Sequence, residues 1–352
     1  MSLREQTVLV TGGAGFIGSH FVERLIASGS RVVNLDLLTY AGNPANLAAV
    51  ARSTLHAFVH GDIRDTRLVS SLLDEHRPAV VVNIAAETHV DRSIDDTTAF
   101  IETNVTGVCH LLQATRAYWN RLDGEARRTF RFVQMSTDEV YGSTAEGAFN
   151  EDSGYAPNSP YAASKAAGDH MTRAYGITYG LPTIIVHASN TYGPRQHPEK
   201  LIPHTIISAL HGRSLPLYGQ GLNVRDWLYV GDLVRGLEHV AAAGQAGHVY
   251  NFACCQEWKN LDTMRRICAI LDRLSPTARP HEAAIKFVDD RPGHDLRYAM
   301  SIDKVRRTLG WEPGVSFSDG LQGTVDWYVN NRVWWQSILD RGYSGARIGL
   351  GQ

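Results

Sequence analysis

Cysteine, lysine and long apolar runs are all scarce in this chain of 352 residues. The four cysteines, Cys109, Cys254, Cys255 and Cys268, form no C-x-x-C pair, and two of them are adjacent. That spacing suits neither a zinc site nor an ordinary disulfide, so reduced, mostly buried thiols and no metal are expected. No apolar run approaches the roughly 18 residues of a membrane-spanning helix. Charge is nearly balanced, 34 basic against 36 acidic residues, with no block of five like charges. Composition therefore leaves no footprint for nucleic acid or an anionic membrane surface. The N-terminus, MSLREQTVLVTGG, passes straight into an apolar strand with no targeting segment, and a soluble cytoplasmic location is expected.

What is present is a repeated alternation of strand and helix. Thr7 to Asp36 reads as an apolar strand, a glycine-rich turn, a helix with Phe16, Ile17, Phe21, Leu25 and Ile26 at helical spacing, and a second strand ending in an acid. Further β runs fall at 55–62, 79–86, 130–136, 183–190 and 248–253. They are apolar throughout rather than alternating, as strands buried on both faces of a parallel sheet are. An α/β fold with a doubly wound parallel sheet follows. After Asn190 short Pro- and Gly-bearing segments dominate. We expect residues 1–190 to form a nucleotide-binding domain to which 222–253 returns. Residues 191–221 and 254–352 should form a smaller mixed domain over the C-terminal strand edges, where such sheets bind ligands.

Gly12, Gly15 and Gly18 lie in the first strand-to-helix turn, where glycine lets the backbone approach a pyrophosphate and the helix N-terminus offers free N–H groups. Asp36, 18 residues past Gly18, ends the next strand. It can accept hydrogen bonds from a ribose diol and would repel a 2′-phosphate, and no Arg follows it, so NAD is favoured over NADP. Asp62, at the end of the third strand, is a candidate partner for the adenine amino group. A tight turn with no ligand is the alternative for the glycines alone.

Two further features carry proton chemistry. Tyr161 and Lys165 stand one helical turn apart in SPYAASK, and an ammonium near a phenol stabilises the phenolate and lowers its pKa. The spacing alone is moderately informative. It gains weight because only five of the 34 basic residues are Lys. Asp138 and Glu139 sit side by side at the end of the strand in FVQMSTDEVYG, where like charges repel and must be desolvated or paired. Acids capping a helix N-terminus would explain the pair structurally. Two carboxyl groups with separated pKa values would explain it chemically.

Together these segments resemble the extended short-chain dehydrogenase/reductase family, and the Asp138-Glu139 pair resembles its nucleotide-sugar 4,6-dehydratases. The likeness runs through LDLLTYAGN (35–43), AAETHVDRSI (85–94), MSTDEVYG, SPYAASKAAGDH (159–170), SNTYGPRQHPEKLIP (189–203), NVRDWLYVGD (223–232) and DRPGHDLRYA (290–299). It implies catalytic roles for Thr137, Asp138, Glu139, Tyr161 and Lys165, with Glu139 as base toward the sugar C5 and Asp138 as acid toward O6. It implies that Phe16, Ile17, Ile63, Ala85, Ala86 and Asn104 join the three glycines, Asp36, Asp62, Tyr161 and Lys165 around NAD. Substrate contacts are implied for Thr88, Asn190, Glu199, Lys200, Leu201, Tyr218, Arg225, Asn260, Arg291 and His294, Arg225 and Arg291 clamping a diphosphate. Arg225 could instead pair with Asp226, and a lone His such as His294 is often structural.

The implied substrate is dTDP-glucose, with a UDP-linked or unusual sugar, or an NAD-binding regulator without catalysis, as alternatives. Three departures from the family pattern stand out. Thr88 replaces a usual Ser and Thr191 a usual Asn. NFACCQEWKN lacks the glycine-rich turn expected before Asn260, so Cys254, Cys255 and Trp258 should give this loop another path. Family members pair helices like those near Asp95–Tyr118 and Pro160–Tyr175 across a two-fold axis, so a homodimer is expected.

Overall fold

The structure, a computed structural model, describes residues 3–341. Residues 342–352, the end of the expected second domain, and the first two residues lie outside the described residues. Seven parallel strands form the main sheet: β1 (Thr7–Thr11), β2 (Arg31–Asp36), β3 (His56–His60), β4 (Val80–Asn83), β5 (Arg131–Thr137), β6 (Thr183–Ala188) and β10 (Val249–Phe252), in the order β10-β6-β5-β4-β1-β2-β3. Alternate residues feed two apolar layers. Val8, Val10, Val80, Val82 and Val133 pack with Phe21, Leu25, Leu233 and Leu237 on one face. Leu9, Val33, Val81 and Phe132 pack with Val69, Leu72, Leu111 and Leu112 on the other. Each such side chain contributes about 1.5–3 kcal/mol by leaving water, which explains the uninterrupted apolar runs.

Strand order reverses between β1 and β4, both directly paired, and this switch point opens a crevice at the strands' C-terminal ends. A buried polar ladder runs beside it: Thr11 Oγ1 donates to Asn83 Oδ1 at 2.5 Å, and Asn83 Nδ2 donates to Gln134 Oε1 at 2.9 Å. The smaller unit contains β7 (Asn190–Tyr192), β9 (Val224–Tyr229) and β11 (Glu257–Lys259) in one sheet, and β8 (Leu215–Tyr218) parallel to β12 (Ile285–Val288). It has its own core around Ile206, Trp227, Ile267, Leu271, Phe317 and Tyr328.

The expectation for 222–253 divides. The Val230–Ala243 helix and β10 join the main sheet's core, whereas β9 pairs with β7 and β11. Val305 and Trp311, expected in the smaller domain, also pack into the main core. Of the four cysteines, all free, Cys254 and Cys268 are buried while Cys255 is exposed.

The Pro160–Tyr179 helix is well bounded. Ser159 Oγ accepts the Ala162 N–H, Pro160 occupies the first turn, and Gly180 ends the helix at φ 70°. It packs on a π-helical stretch, Glu102–Gly107, against which Gly168 makes a close approach, a Cβ there falling 2.7 Å from the Asn104 carbonyl oxygen.

Candidate active site

A cleft of about 480 Å3 runs between the two units and is lined from both. Its sheet side is built largely from backbone. Gly12 takes φ 72°, and a Cβ there would lie 2.6 Å from Ala85 N. A Cβ on Gly18 would lie 2.1 Å from the Gly12 carbonyl oxygen. The Phe16–Ala27 helix begins at Gly15 with no side-chain cap, leaving its first N–H groups free for an anion. Asp36 accepts the Ala14 N–H at 2.8 Å and the Leu38 N–H at 2.7 Å, which leaves two of its four acceptor sites. Burial raises its carboxyl above the ordinary value, and these two bonds oppose that. Phe16, Ile17, Asp62, Ile63, Ala85 and Ala86 line the same cleft. Burial would raise Asp62, but hydrogen bonds from Arg64 outweigh it and hold it low. Uncapped turn, crowded glycines and rim carboxylate fit a dinucleotide such as NAD.

Asn104 does not line this cleft. Its Oδ1 accepts the Glu87 N–H at 3.0 Å, and its Nδ2 donates to the Glu87 carbonyl at 3.0 Å and to Ser164 Oγ at 2.9 Å. The π-helical turn thus uses Asn104 to fix the loop after β4.

At the centre of the cleft stands the end of β5. Thr137 Oγ1 accepts the Glu139 N–H at 3.2 Å, capping the short turn Asp138–Tyr141. Both readings of the acid pair meet here: the acids do occupy a helical N-terminus, and they also face the cleft. Asp138 is 2 % exposed, and its Oδ2 has no hydrogen-bond partner. Burial and then the Glu139 charge push its carboxyl well up. Glu139 is half-buried; burial raises it, but Arg291, Arg225 and Lys200 oppose that. Three cations facing one acid, and none so dominant at the other, separate a proton holder from a proton acceptor.

Tyr161 lines the cleft beside the acid pair, whereas Lys165, one helical turn on, is buried and does not line it. The Lys165 ammonium donates to the Met135 carbonyl at 2.7 Å, and burial draws it down to about 8. Tyr161 is raised, by burial first and then by the Glu139 charge, with a hydrogen bond from Thr137 opposing. The phenol is thus raised rather than lowered, because it is buried and a carboxylate faces it.

The substrate-side residues expected from sequence also line the cleft: Thr88, Asn190, Glu199, Lys200, Leu201, Tyr218, Arg225, Asn260, Arg291 and His294. Several are already engaged. Glu199 accepts from Tyr40 at 3.0 Å and Arg92 at 3.1 Å, and cationic neighbours hold it low against burial. Lys200 donates to the Thr88 carbonyl at 2.7 Å. Arg291 Nη1 donates to Asp91 at 2.6 Å, while its buried Nε has no protein partner. Tyr218 donates to the other Asp91 oxygen at 2.7 Å. His294 lies 2.6 Å from Asp290, and burial then Arg291 bring it down to about 4. Arg225 does not pair with Asp226. It donates to the carbonyls of Val224 and Asp295 and stacks on Tyr298, while Asp226 accepts the N–H groups of Cys254 and Cys255.

Sequence reasoning left Glu87, His89, Asp91 and Arg92 without roles. Their signal was position: ETHVDR follows the C-terminal end of β4, at the switch point. Tyr298 and Trp227, also on the cleft wall, carried no local signal.

A doubly wound sheet with an uncapped glycine turn, and a Tyr161–Lys165 helix beside it, defines the class of extended short-chain dehydrogenases/reductases. The chain belongs to the 4,6-dehydratase family within it: residues 9–324 match the family model described as GDP-mannose 4,6 dehydratase. Similar curated proteins include the dTDP-glucose 4,6-dehydratase of Xanthomonas campestris pv. campestris strain B100, 52 % identical over 97 % of this chain and 99 % of that one. Another is dTDP-glucose 4,6-dehydratase 1 of Escherichia coli K12, 47 % identical over 97 % and 99 %. The structure of DesIV, a dTDP-glucose 4,6-dehydratase from Streptomyces venezuelae with NAD and TYD bound, matches at TM-score 0.86 and 46 % identity, over 94 % of this chain and 99 % of that one. A UDP-glucose 4-epimerase from Thermotoga maritima matches at TM-score 0.81 and 27 % identity, over 93 % and 99 %.

Proposed function

We propose that this chain is an NAD-dependent hydro-lyase that converts dTDP-glucose to dTDP-4-keto-6-deoxyglucose. The observation that carries the reading is the adjacent acid pair at the end of β5. Asp138 is buried and pushed up, so it holds a proton, while Glu139 faces Arg291, Arg225 and Lys200 and is kept closer to its ionised form. Elimination of water across C5 and C6 needs one group of each kind. The named relatives, dTDP-glucose 4,6-dehydratases at about half identity over nearly the whole chain, support the same substrate.

NAD, when bound, supplies the hydride acceptor at C4, the hydride donor at C6 and a positive ring charge that favours a phenolate. Tyr161 accepts the 4-hydroxyl proton, with Thr137 hydrogen-bonded to it. The 4-ketone so formed acidifies C5–H, which Glu139 removes. Asp138 gives its proton to O6, and water departs to leave a C5=C6 double bond. A hydride returned to C6 and a solvent-derived proton delivered to C5, through Asp138 or a water, complete the product. The oxidation and the reduction cancel, so cofactor is not consumed.

Within this reading Asp36 and Asp62 serve the adenosine end of NAD and Arg225 and Arg291 the diphosphate of the sugar nucleotide. The smaller unit recognises the nucleotide, and the main sheet unit carries NAD. Exposed Ile101, Ile177 and Tyr179 on or beside the paired helices support a homodimer. Among the described residues no helix is long and apolar enough to cross a membrane, and a cytoplasmic enzyme is the reading that goes with an NAD-dependent sugar-nucleotide reaction. The test is incubation with dTDP-glucose and with UDP-glucose in deuterated water. The reading expects base-induced absorbance of a 4-keto product and deuterium at C5 from dTDP-glucose. No turnover of dTDP-glucose would sink it, and light scattering at micromolar protein tests the dimer.

A further inference from the structure

The acid pair sits in a segment, 136–141, that four buried side chains close into a ring. Ser136, two residues ahead of Asp138, donates its hydroxyl to Asp169 Oδ2 at 2.6 Å. Tyr141, two residues behind Glu139, places its hydroxyl 2.8 Å from His187 Nδ1. His187 Nε2 lies 3.1 Å from the same Asp169 oxygen, which joins the two ends. The ring therefore runs from β5 through Asp169 on the Pro160–Tyr179 helix and His187 on β6 to the last residue of the acid turn. None of the four is more than 5 % exposed. Tyr155 backs one side, donating to Asp169 Oδ2 at 3.3 Å and lying 2.9 Å from His187 Nε2, and Asn251 Oδ1 accepts the Tyr141 hydroxyl at 3.0 Å on the other.

Such a turn needs holding, because two adjacent acids in a poorly solvated place repel each other. Its own shape is set by backbone groups: Thr137 Oγ1 accepts the Glu139 N–H, and the Gly142 N–H donates to the Glu139 carbonyl at 3.2 Å. One backbone bond, from the Ala156 N–H to the Val140 carbonyl at 3.0 Å, ties it to the chain ahead of the helix. The ring adds a tie to the helix itself, and Tyr161 stands in the first turn of that helix. The reaction works at C4 and then at C5 and C6 of one bound sugar, so the phenol and the acid pair must keep their separation between steps. Small misplacements of such groups are costly in rate.

We propose that Ser136, Asp169, His187 and Tyr141 form a positioning ring that holds the Asp138–Glu139 turn in register with Tyr161. None of the four touches the reacting atoms; they act through the turn they close. The inference rests on the dehydratase reading for what the turn serves, but the closure of the ring is measurable without turnover.

The primary test is a double-variant cycle on kcat with Ser136→Ala and Tyr141→Phe. Neither change strands a buried partner: Asp169 Oδ2 keeps Tyr155 and His187, and His187 Nδ1 keeps Asn251 Oδ1, 3.1 Å away. A ring opens only once. Each single variant should lower kcat about 10- to 100-fold, and the double variant should lose no more than the larger single. KM for dTDP-glucose should stay in place. Reduced cofactor should accumulate during turnover, read by its near-ultraviolet absorbance, because C4 oxidation then outruns elimination. Losses that multiply, or a kcat that falls without that accumulation, mean separate structural bonds and overturn the proposal. If wild type turns over no nucleotide sugar, the dehydratase reading fails and amide hydrogen exchange of residues 138–142 decides this one. Exchange there should quicken in each single variant and no further in the double. Exchange unchanged from wild type, or effects that add, overturn the ring. Should either single variant fail to fold, His187→Leu opens the ring at its middle while leaving Asp169 its two hydroxyl donors and Tyr141 its Asn251 acceptor. It should show the same fall in kcat and the same quickened exchange, and wild-type values there overturn the proposal.

Discussion

The two walls of the cleft solve recognition in opposite ways. The sheet wall presents backbone: free N–H groups at the Gly15 cap, glycines that tolerate no Cβ, and one carboxylate at the rim. The wall from the smaller unit presents polar side chains that are already paired, Arg291 with Asp91 and Glu199 with Arg92 of the loop after β4, and His294 with Asp290. A backbone cradle is rigid and discriminates by shape. A wall of partly buried polar pairs carries some desolvation cost before any ligand arrives, and it holds long side chains in one geometry in exchange. The acid pair sits on the seam, anchored on the rigid wall and electrostatically set by the other.

The seam should show the largest effect. Glu139→Gln keeps the shape but removes the base, so formation of 4-keto product should fall about 10²–10⁴-fold. C5 deuterium exchange should fall with it while NAD stays bound by equilibrium dialysis. If exchange survives, Glu139 is not the base and the three cations facing it need another purpose.

Next comes the backbone wall. Gly18→Ala places a methyl 2.1 Å from the Gly12 carbonyl oxygen, so the turn must move. NAD affinity should fall by at least about 100-fold, the worth of a few kcal/mol of lost fit, measured by fluorescence titration with NADH. Affinity for a dTDP-sugar should change far less. Equal losses for both ligands would erase the distinction between the walls.

The charged wall should respond more gently and to the other ligand. Arg291→Lys keeps a cation for Asp91 but loses the planar fork and its free Nε–H. Hydrogen bonds to charged groups are worth about 1.5–3 kcal/mol, so KM for dTDP-glucose should rise about 10- to 100-fold with NAD affinity unchanged. The pH profile sharpens the same comparison. Asp138 acts protonated, and its carboxyl is raised by burial and by Glu139, so its contribution is lost as pH climbs through that raised value. Glu139 acts ionised and is also raised, so activity is lost as pH falls toward a point above the ordinary glutamate value of 4.5. Glu139→Gln leaves Asp138 without its nearest like charge, so Asp138 should titrate lower in that variant, visible in the carboxyl infrared band.

The same contrast explains what was readable from sequence. The glycine turn, Asp36, the acid pair and the Tyr161–Lys165 step are local patterns, in which a few residues of spacing fix the geometry. The charged wall is assembled over distance: Arg291 meets Asp91 across 200 positions, and Glu199 meets Arg92 across 107. No local spacing encodes such pairs. Local spacing misled where a backbone group outcompeted a side chain. Lys165 reaches a strand carbonyl, and Arg225, for which pairing with Asp226 was the alternative to a diphosphate contact, reaches the carbonyls of Val224 and Asp295.

The smallest effect concerns the segment before Asn260, NFACCQEWKN, where a glycine-rich turn was expected and strain stands at one residue. Cys255 stands at φ 59°, a conformation that costs a residue with a Cβ about 1 kcal/mol or more. It is held there because Asp226 accepts the N–H groups of Cys254 at 3.1 Å and Cys255 at 2.8 Å. The thiol of Cys255 is exposed and gives up little packing if removed. Cys255→Gly should therefore raise unfolding free energy, by about 0.5 kcal/mol once the greater freedom of glycine in the unfolded chain is subtracted. Cys254→Gly, at a buried position with no positive φ, should lower it by about 1 kcal/mol or more. Urea unfolding of both variants separates the two signs. Asn260 enters the cleft from a backbone bond to the Asn223 carbonyl, 2.9 Å long, which neither change touches. KM for dTDP-glucose should accordingly stay at the wild-type value in Cys255→Gly, and a shift there would mean that the strained cysteine shapes the charged wall.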